Sequence, residues 1–206
     1  MRILTFGDSL TIGVTSAGGG CRTPYARALE AELRRRTLDA SAVESVGWAG
    51  ISSEGVMNSM ERHQGLLTLI RMAAEAGAPY DAVLVLLGTN DFLSGRHDSL
   101  LPNLRAMHGA IQDAGTASIA LGLPQSRFSE QTPERSEALR TLNTQISACG
   151  ASLFVDVAAM LPYEEGSGIW SEDGVHMTPA GYHALGTALV TPLLQVLRLD
   201  ERRGVE

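Results

Sequence analysis

Two cysteines, no long apolar run and a deficit of positive charge set the first limits on this chain of 206 residues. Cys21 and Cys149 stand far apart, with neither the close spacing of a metal site nor the count of a disulfide framework. Sixteen basic residues against 23 acidic ones leave a formal charge of -7. Such a surface has no basic stripe to neutralise phosphates, so nucleic acid is not expected as a partner. The longest apolar run, Ala82–Leu87, falls far short of the roughly 20 residues of a membrane-spanning helix. No leader-like segment precedes the first apolar run, Ile3-Leu4. The expectation is a cytoplasmic protein, or a secreted one already trimmed of its leader. Repeats, low-complexity tracts and Pro/Ser-rich linkers are missing too, so one domain over residues 1–206 is expected.

What the chain does have is a share of 44% hydrophobic residues against 19% charged ones, enough for a sizeable core. Strand-like and helix-like patterns alternate. Short apolar runs at Arg2–Phe6, Ser41–Val46, Asp81–Leu87, Ser118–Leu123 and Leu153–Val157 read as strands, most clearly at Asp81–Leu87, bounded by Pro79 and Gly88. Helical spacing follows at Pro24–Arg36, with Thr23 placed to cap it, and at Ser53–Met60, Leu66–Ala76 and Leu101–Ala114. Thr132-Pro133 and Thr178-Pro179 open two more helices, and Pro192 should kink or end the last one near Val190. Five apolar strands with helices between them predict an α/β fold: a parallel sheet with helices on both faces, in flavodoxin-like order. Ligands of such sheets bind at the carboxyl ends of the strands.

The polar residues gather at those ends. Gly7-Asp8-Ser9-Leu10 follows the first strand, Gly47-Trp48-Ala49-Gly50 the second and Gly88-Thr89-Asn90-Asp91 the third. Asp173-Gly174-Val175-His176 lies between the fifth strand and the last helix. Together they supply a hydroxyl, backbone and amide donors, a carboxylate and an imidazole, the parts needed for acyl transfer through a serine. Each has a plainer reading. Ser9 could be a turn or cap residue, Asn90 could cap the segment after it, and Gly50 could be a turn glycine with Gly47 its rival. His176 could be an ordinary loop histidine. In the functional reading His176 is the base that a weakly nucleophilic serine needs, and Asp173 fixes its tautomer. Asn90 is a neutral donor to a developing oxyanion, a task an ionised Asp91 could not perform.

Together these residues resemble the GDSL family, also called SGNH hydrolases. Gly7-Asp8-Ser9-Leu10-Thr11 is similar to its first block, Gly88-Thr89-Asn90-Asp91 to its third and Asp173-x-x-His176 to its fifth. The second block departs: the family commonly has an Asn before its glycine, where this chain reads Ser45-Val46-Gly47-Trp48-Ala49-Gly50. The resemblance implies a three-layer α/β/α fold with a five-stranded sheet and the hydrolysis of small-molecule acyl esters. It implies Ser9, Asp173 and His176 as the catalytic triad, and Ser9, Gly50 and Asn90 as the oxyanion hole. No metal or organic cofactor is called for. Hydrolysis should fall in acid as the imidazole protonates. An acyltransferase or thioesterase on the same site is the alternative. More remote is a metal-dependent hydrolase using Asp8, Asp91, Asp173 and His176. A flavin- or nucleotide-binding module is disfavoured by Asp8 in the first loop and by the lack of G-x-G-x-x-G. The loops Thr11–Arg22 and Ala158–Glu172 are expected to border the pocket, with Trp48 beside Gly50; Trp48, Tyr163 and Trp170 are more often core or rim packing than ligand platforms.

Overall fold

The computed structural model describes residues 1–16, 22–37 and 41–203, with side chains described as far as Leu197. Cys21 and residues 17–20 of the loop expected to border the pocket lie outside these residues. The strands are β1 (Arg2–Gly7), β2 (Ala42–Gly47), β3 (Ala82–Leu86), β4 (Ala117–Leu121) and β5 (Leu153–Val155). All neighbours pair in parallel, in the order β2-β1-β3-β4-β5, the flavodoxin-like arrangement that the alternation predicts. The helices are α1 (Ala26–Thr37), α2 (Ser53–Met57), α3 (Leu66–Glu75), α4 (Thr89–Ser94), α5 (Leu100–Asp113), α6 (Pro133–Ser147), α7 (Val157–Met160), α8 (Pro179–Ala188) and α9 (Val190–Arg203).

A strand buried on both faces has no polar side to alternate with, which is why β3 reads as an unbroken apolar run. Val83 and Val85 face one core with Val56, Leu66, Leu104, Met107 and Leu139. Ala82, Leu84 and Leu86 face the other with Leu29, Leu33, Leu185 and Leu189. Each such Val, Leu or Met side chain, fully buried, contributes roughly 1.5–3 kcal/mol to folding.

Several local expectations are corrected. Thr23 does not cap α1: its hydroxyl is buried without a partner, its N–H donates to the Gly13 carbonyl, and the helix begins three residues later. The fifth strand stops at Val155, because Asp156 turns the chain and caps α7 by accepting from the Ala159 N–H at 3.1 Å. The last helix divides as Pro192 suggests: α8 ends at Ala188, and Pro192 falls in the first turn of α9, where a missing N–H costs nothing.

The strand register brings the catalytic-type segments to one rim. Gly7 lies opposite both Gly47 and Leu86, so the chain leaves β1, β2 and β3 at the same level. A side chain at position 7 would collide with the Leu86 carbonyl, 1.8 Å from where its Cβ would stand. Between β1 and β3 the winding of the sheet reverses, and that switch point opens a crevice. Ser9 and Asn90 flank it.

Candidate active site

Ser9 sits in a tight turn directly after β1. The Asp8 carbonyl accepts from the N–H groups of Thr11 and Ile12, and the Ser9 carbonyl accepts from Val14 N–H at 3.0 Å. Asp8 is wholly buried beneath the turn. One of its oxygens accepts the Leu10 N–H at 3.0 Å. Burial pushes the Asp8 carboxyl up to about 6, against the opposing pull of the Leu10 amide, Thr89 and His176.

His176 arrives from the other end of the chain on a closely tied loop. Ser171 N–H donates to the His176 carbonyl and Gly174 N–H to the Ser171 carbonyl, both at 2.9 Å. Ser171 Oγ donates to the Met177 carbonyl at 3.0 Å, and Arg127 N–H to the Gly174 carbonyl at 2.7 Å. Two residues further on, Thr178 caps α8 by accepting from the Gly181 N–H at 3.2 Å. The ring is therefore held between a turn and a helix start.

The imidazole Nε2 lies 2.9 Å from Ser9 Oγ, and Nδ1 lies 2.7 Å from Asp173 Oδ2. The other Asp173 oxygen accepts the N–H groups of Val175 and His176, each at 2.9 Å. Burial alone would raise the Asp173 carboxyl, but the His176 ring and these two amides outweigh it and hold it below the usual carboxylate range. An ionised carboxylate only accepts, so Nδ1 carries the ring proton and Nε2 is left to take one from Ser9.

Asn90 belongs to the first turn of α4, whose N-cap is Gly88; the capping role open to Asn90 does not arise. Its amide donates to the Ile51 carbonyl at 2.8 Å, which leaves one amide hydrogen uncommitted. Gly50 has φ +75°, a conformation that favours glycine, and its N–H makes no backbone hydrogen bond among the described residues. Gly47, its rival, is instead locked into the sheet opposite Gly7, with the Gly7 carbonyl only 2.5 Å from where a Cβ would stand.

A cavity of about 350 Å³ joins these parts, bounded by Ser9, Gly50, Asn90, Asp173 and His176 together with Val14, Ala49, Thr89, Leu93 and Val175. All five residues named from the sequence thus meet at one opening. Trp48, Tyr163 and Trp170 take the packing role weighed for them: Trp48 stands edge-on to Phe6 at 5.7 Å, and Tyr163 and Trp170 pack on each other at 5.4 Å. The loop 158–172, expected to border the cavity, stays outside its lining. The four groups weighed as metal ligands do not gather. Asp8 bonds Leu10, Asp91 bonds Ser53, and among the described residues no three His, Cys, Asp or Glu side chains form a metal-sized cluster. Val14, Leu93 and Val175 escape a motif-based reading because aliphatic lining residues carry no sequence signature of chemistry.

A parallel α/β fold with a hydroxyl, imidazole and carboxylate in line at its switch point belongs to the hydrolase class of such folds. The chain is a member of the GDSL-like lipase/acylhydrolase family, whose model matches residues 5–184. Membership makes it, in general terms, a carboxylic ester hydrolase. Among solved structures, a lipase/acylhydrolase from Enterococcus faecalis is 22% identical, with a TM-score of 0.64 over 93% of this chain and 94% of that one. A carbohydrate acetylesterase from Sinorhizobium meliloti is 20% identical, with a TM-score of 0.68 over 95% and 99% of the two chains. A catalytic mutant of an acetylxylan esterase from Geobacillus stearothermophilus is 16% identical, with a TM-score of 0.68 over 95% and 93%. These likenesses concern the fold. No curated protein sequence matches the chain significantly. No helix among the described residues is long and apolar enough to cross a membrane.

Proposed function

We propose that the protein is a serine esterase that cleaves small-molecule carboxylic esters through an acyl-enzyme. The observation that carries this reading is the relay of two hydrogen bonds, Ser9 Oγ to His176 Nε2 at 2.9 Å and His176 Nδ1 to Asp173 at 2.7 Å. Ser9 Oγ attacks the acyl carbonyl as His176 Nε2 takes its proton, and Asp173 stabilises the imidazolium that forms. The oxyanion is met by the N–H groups of Ser9 and Gly50 and by the free amide hydrogen of Asn90. Collapse expels the alcohol, protonated by His176. The same imidazole then activates water, which releases the acid and restores Ser9.

The cavity walls favour an uncharged acyl group: Val14, Ala49, Leu93 and Val175 are aliphatic, and among the described residues no Lys or Arg lines them. Two of the structural relatives are described as acetylesterases, so short acyl chains are the first substrates to try. The test is a p-nitrophenyl ester series from acetyl to octanoyl, with fluorophosphonate labelling and Ser9→Ala as control. The expected result is labelling at Ser9 and a loss of at least about 10³-fold in kcat for Ser9→Ala. Hydrolysis that survives in Ser9→Ala overturns the reading.

A further inference from the structure

Asp91 is 2% exposed and stands next to Asn90, yet the mechanism above leaves it without a task. It does not line the cavity; its carboxylate meets the start of α2. The Ser53 N–H lies 3.0 and 3.2 Å from its two oxygens, and Ser53 Oγ donates to one of them at 2.7 Å. Ser53 is itself wholly buried, and its Oγ accepts from Asn103 Nδ2 of α5 at 3.1 Å. One position earlier on α4, Asn90 grips the carbonyl of Ile51. Neighbouring side chains of one short helix therefore hold the same loop, residues 48–52, at and just beyond its end.

That loop has few other ties near its tip. Trp48 N–H donates to the Gly7 carbonyl at 3.2 Å, and Ile51 N–H reaches the Trp48 carbonyl at 3.4 Å, a long bond. Around Gly50, nothing stands within 4 Å of the position a Cβ would take. A donor contributes to an oxyanion hole only when it is held in place before charge develops. Hydrogen bonds to a charged acceptor are roughly twice as strong as neutral ones, and the Asp91–Ser53 contacts are of that kind.

We propose that Asp91 is a positioning residue of the oxyanion hole: by clamping Ser53 it sets loop 48–52, aligning the Gly50 N–H and the Ile51 carbonyl that orients the Asn90 amide. This rests on the serine-esterase reading above. Asp91 touches no reacting atom; it acts through the loop, and Asn103 extends the clamp to α5.

The test measures kcat, KM and Tm with p-nitrophenyl butyrate for Asp91→Asn, Asp91→Ala and Ser53→Ala, each also in an Asn90→Ala background and beside Ser9→Ala. Asp91→Ala is expected to lower kcat roughly 10–100-fold with KM within about twofold, and the near-isosteric Asp91→Asn roughly 5–20-fold. Because part of the effect passes through Asn90, the same change should cost at least about threefold less when Asn90 is already Ala. Should Asp91→Ala fail to fold, Asp91→Asn and Ser53→Ala carry the comparison. An unchanged kcat in the folded variants, even with a lowered Tm, or an equal kcat cost in both backgrounds overturns the proposal, while a Ser9-dependent rate leaves the esterase reading standing. A rate that survives Ser9→Ala overturns both.

Discussion

The imidazole of His176 lies 2.9 Å from the hydroxyl of Ser9, although 167 positions separate them in the chain. The contact exists because β1 runs inside the sheet, between β2 and β3, while α8, which begins just after His176, packs on α1. A small residue at position 186 makes that packing possible: a Cβ on Gly186 would stand 2.2 Å from the Tyr25 carbonyl. The Ser9–His176 geometry thus rests on a helix–helix contact whose residues do not line the cavity.

In the proposed mechanism, Asn90→Ala removes one donor to the oxyanion and leaves the relay of Ser9, His176 and Asp173 intact. We expect kcat to fall about 10²–10³-fold with little change in KM, the size of loss associated with a single such donor. Steady-state kinetics on an activated aryl ester measure it directly. A rate within a factor of two of wild type would take Asn90 out of the hole.

Asp8 has the signature of a carboxylate kept at a cost to stability. Its folded pKa is raised to about 6 by burial, against an ordinary value of 3.8. Between those two values the native state binds more protons than the unfolded chain, so this group's contribution worsens as pH rises and is fully unfavourable above about 6. Asp8→Asn keeps an oxygen for the Leu10 N–H and removes the charge. The variant should be more stable than wild type at pH 8, by about 2–3 kcal/mol, and the advantage should shrink steadily toward pH 4. Urea unfolding at several pH values reads the difference, and an advantage that grows in acid would contradict the assignment.

His108 carries the opposite sign. It is wholly buried, its Nδ1 sits 2.5 Å from Ser118 Oγ, and its Nε2 has no partner. Burial lowers its pKa from 6.5 to about 4. The unfolded chain takes up that proton first, so stability is lost as pH falls below about 6.5 and goes on falling until about 4. Replacing both partners with apolar residues, as His108→Leu with Ser118→Ala, should remove this acid sensitivity without leaving a polar group stranded. The fall in unfolding free energy from pH 7 to pH 4.5 is then expected to be smaller than in wild type by about 2–3 kcal/mol. Parallel pH dependences in the two proteins would show that His108 is not the titrating group.

Much of the sheet was readable in advance because its strands are buried on both faces, so runs such as Asp81–Leu87 stand out without any knowledge of neighbours. Two of the short helices, α4 and α7, were not. Thr89–Ser94 has no apolar period to detect, and its N-cap is Gly88 at φ 125°, a conformation that follows from the strand end rather than from local propensity. The border of the cavity is only partly legible for a related reason: the loop 158–172 adjoins the Asp173–His176 segment in sequence, but its Tyr163 and Trp170 pack on each other and it contributes nothing to the lining.

By itself the sequence determined the alternation of strands and helices, the rim on which polar residues collect, and the identity of Ser9, Asn90, Asp173 and His176 as chemically capable groups. Such features are local: periodicity, residue type and short spacing carry them. Only the tertiary structure decided that Gly50 rather than Gly47 borders the cavity, that Asp91 reaches Ser53 and not the opening, and that Nε2 of His176 faces the serine. These depend on strand register and helix packing, which bring residues together from distant parts of the chain, and no window of sequence contains both members of such a pair.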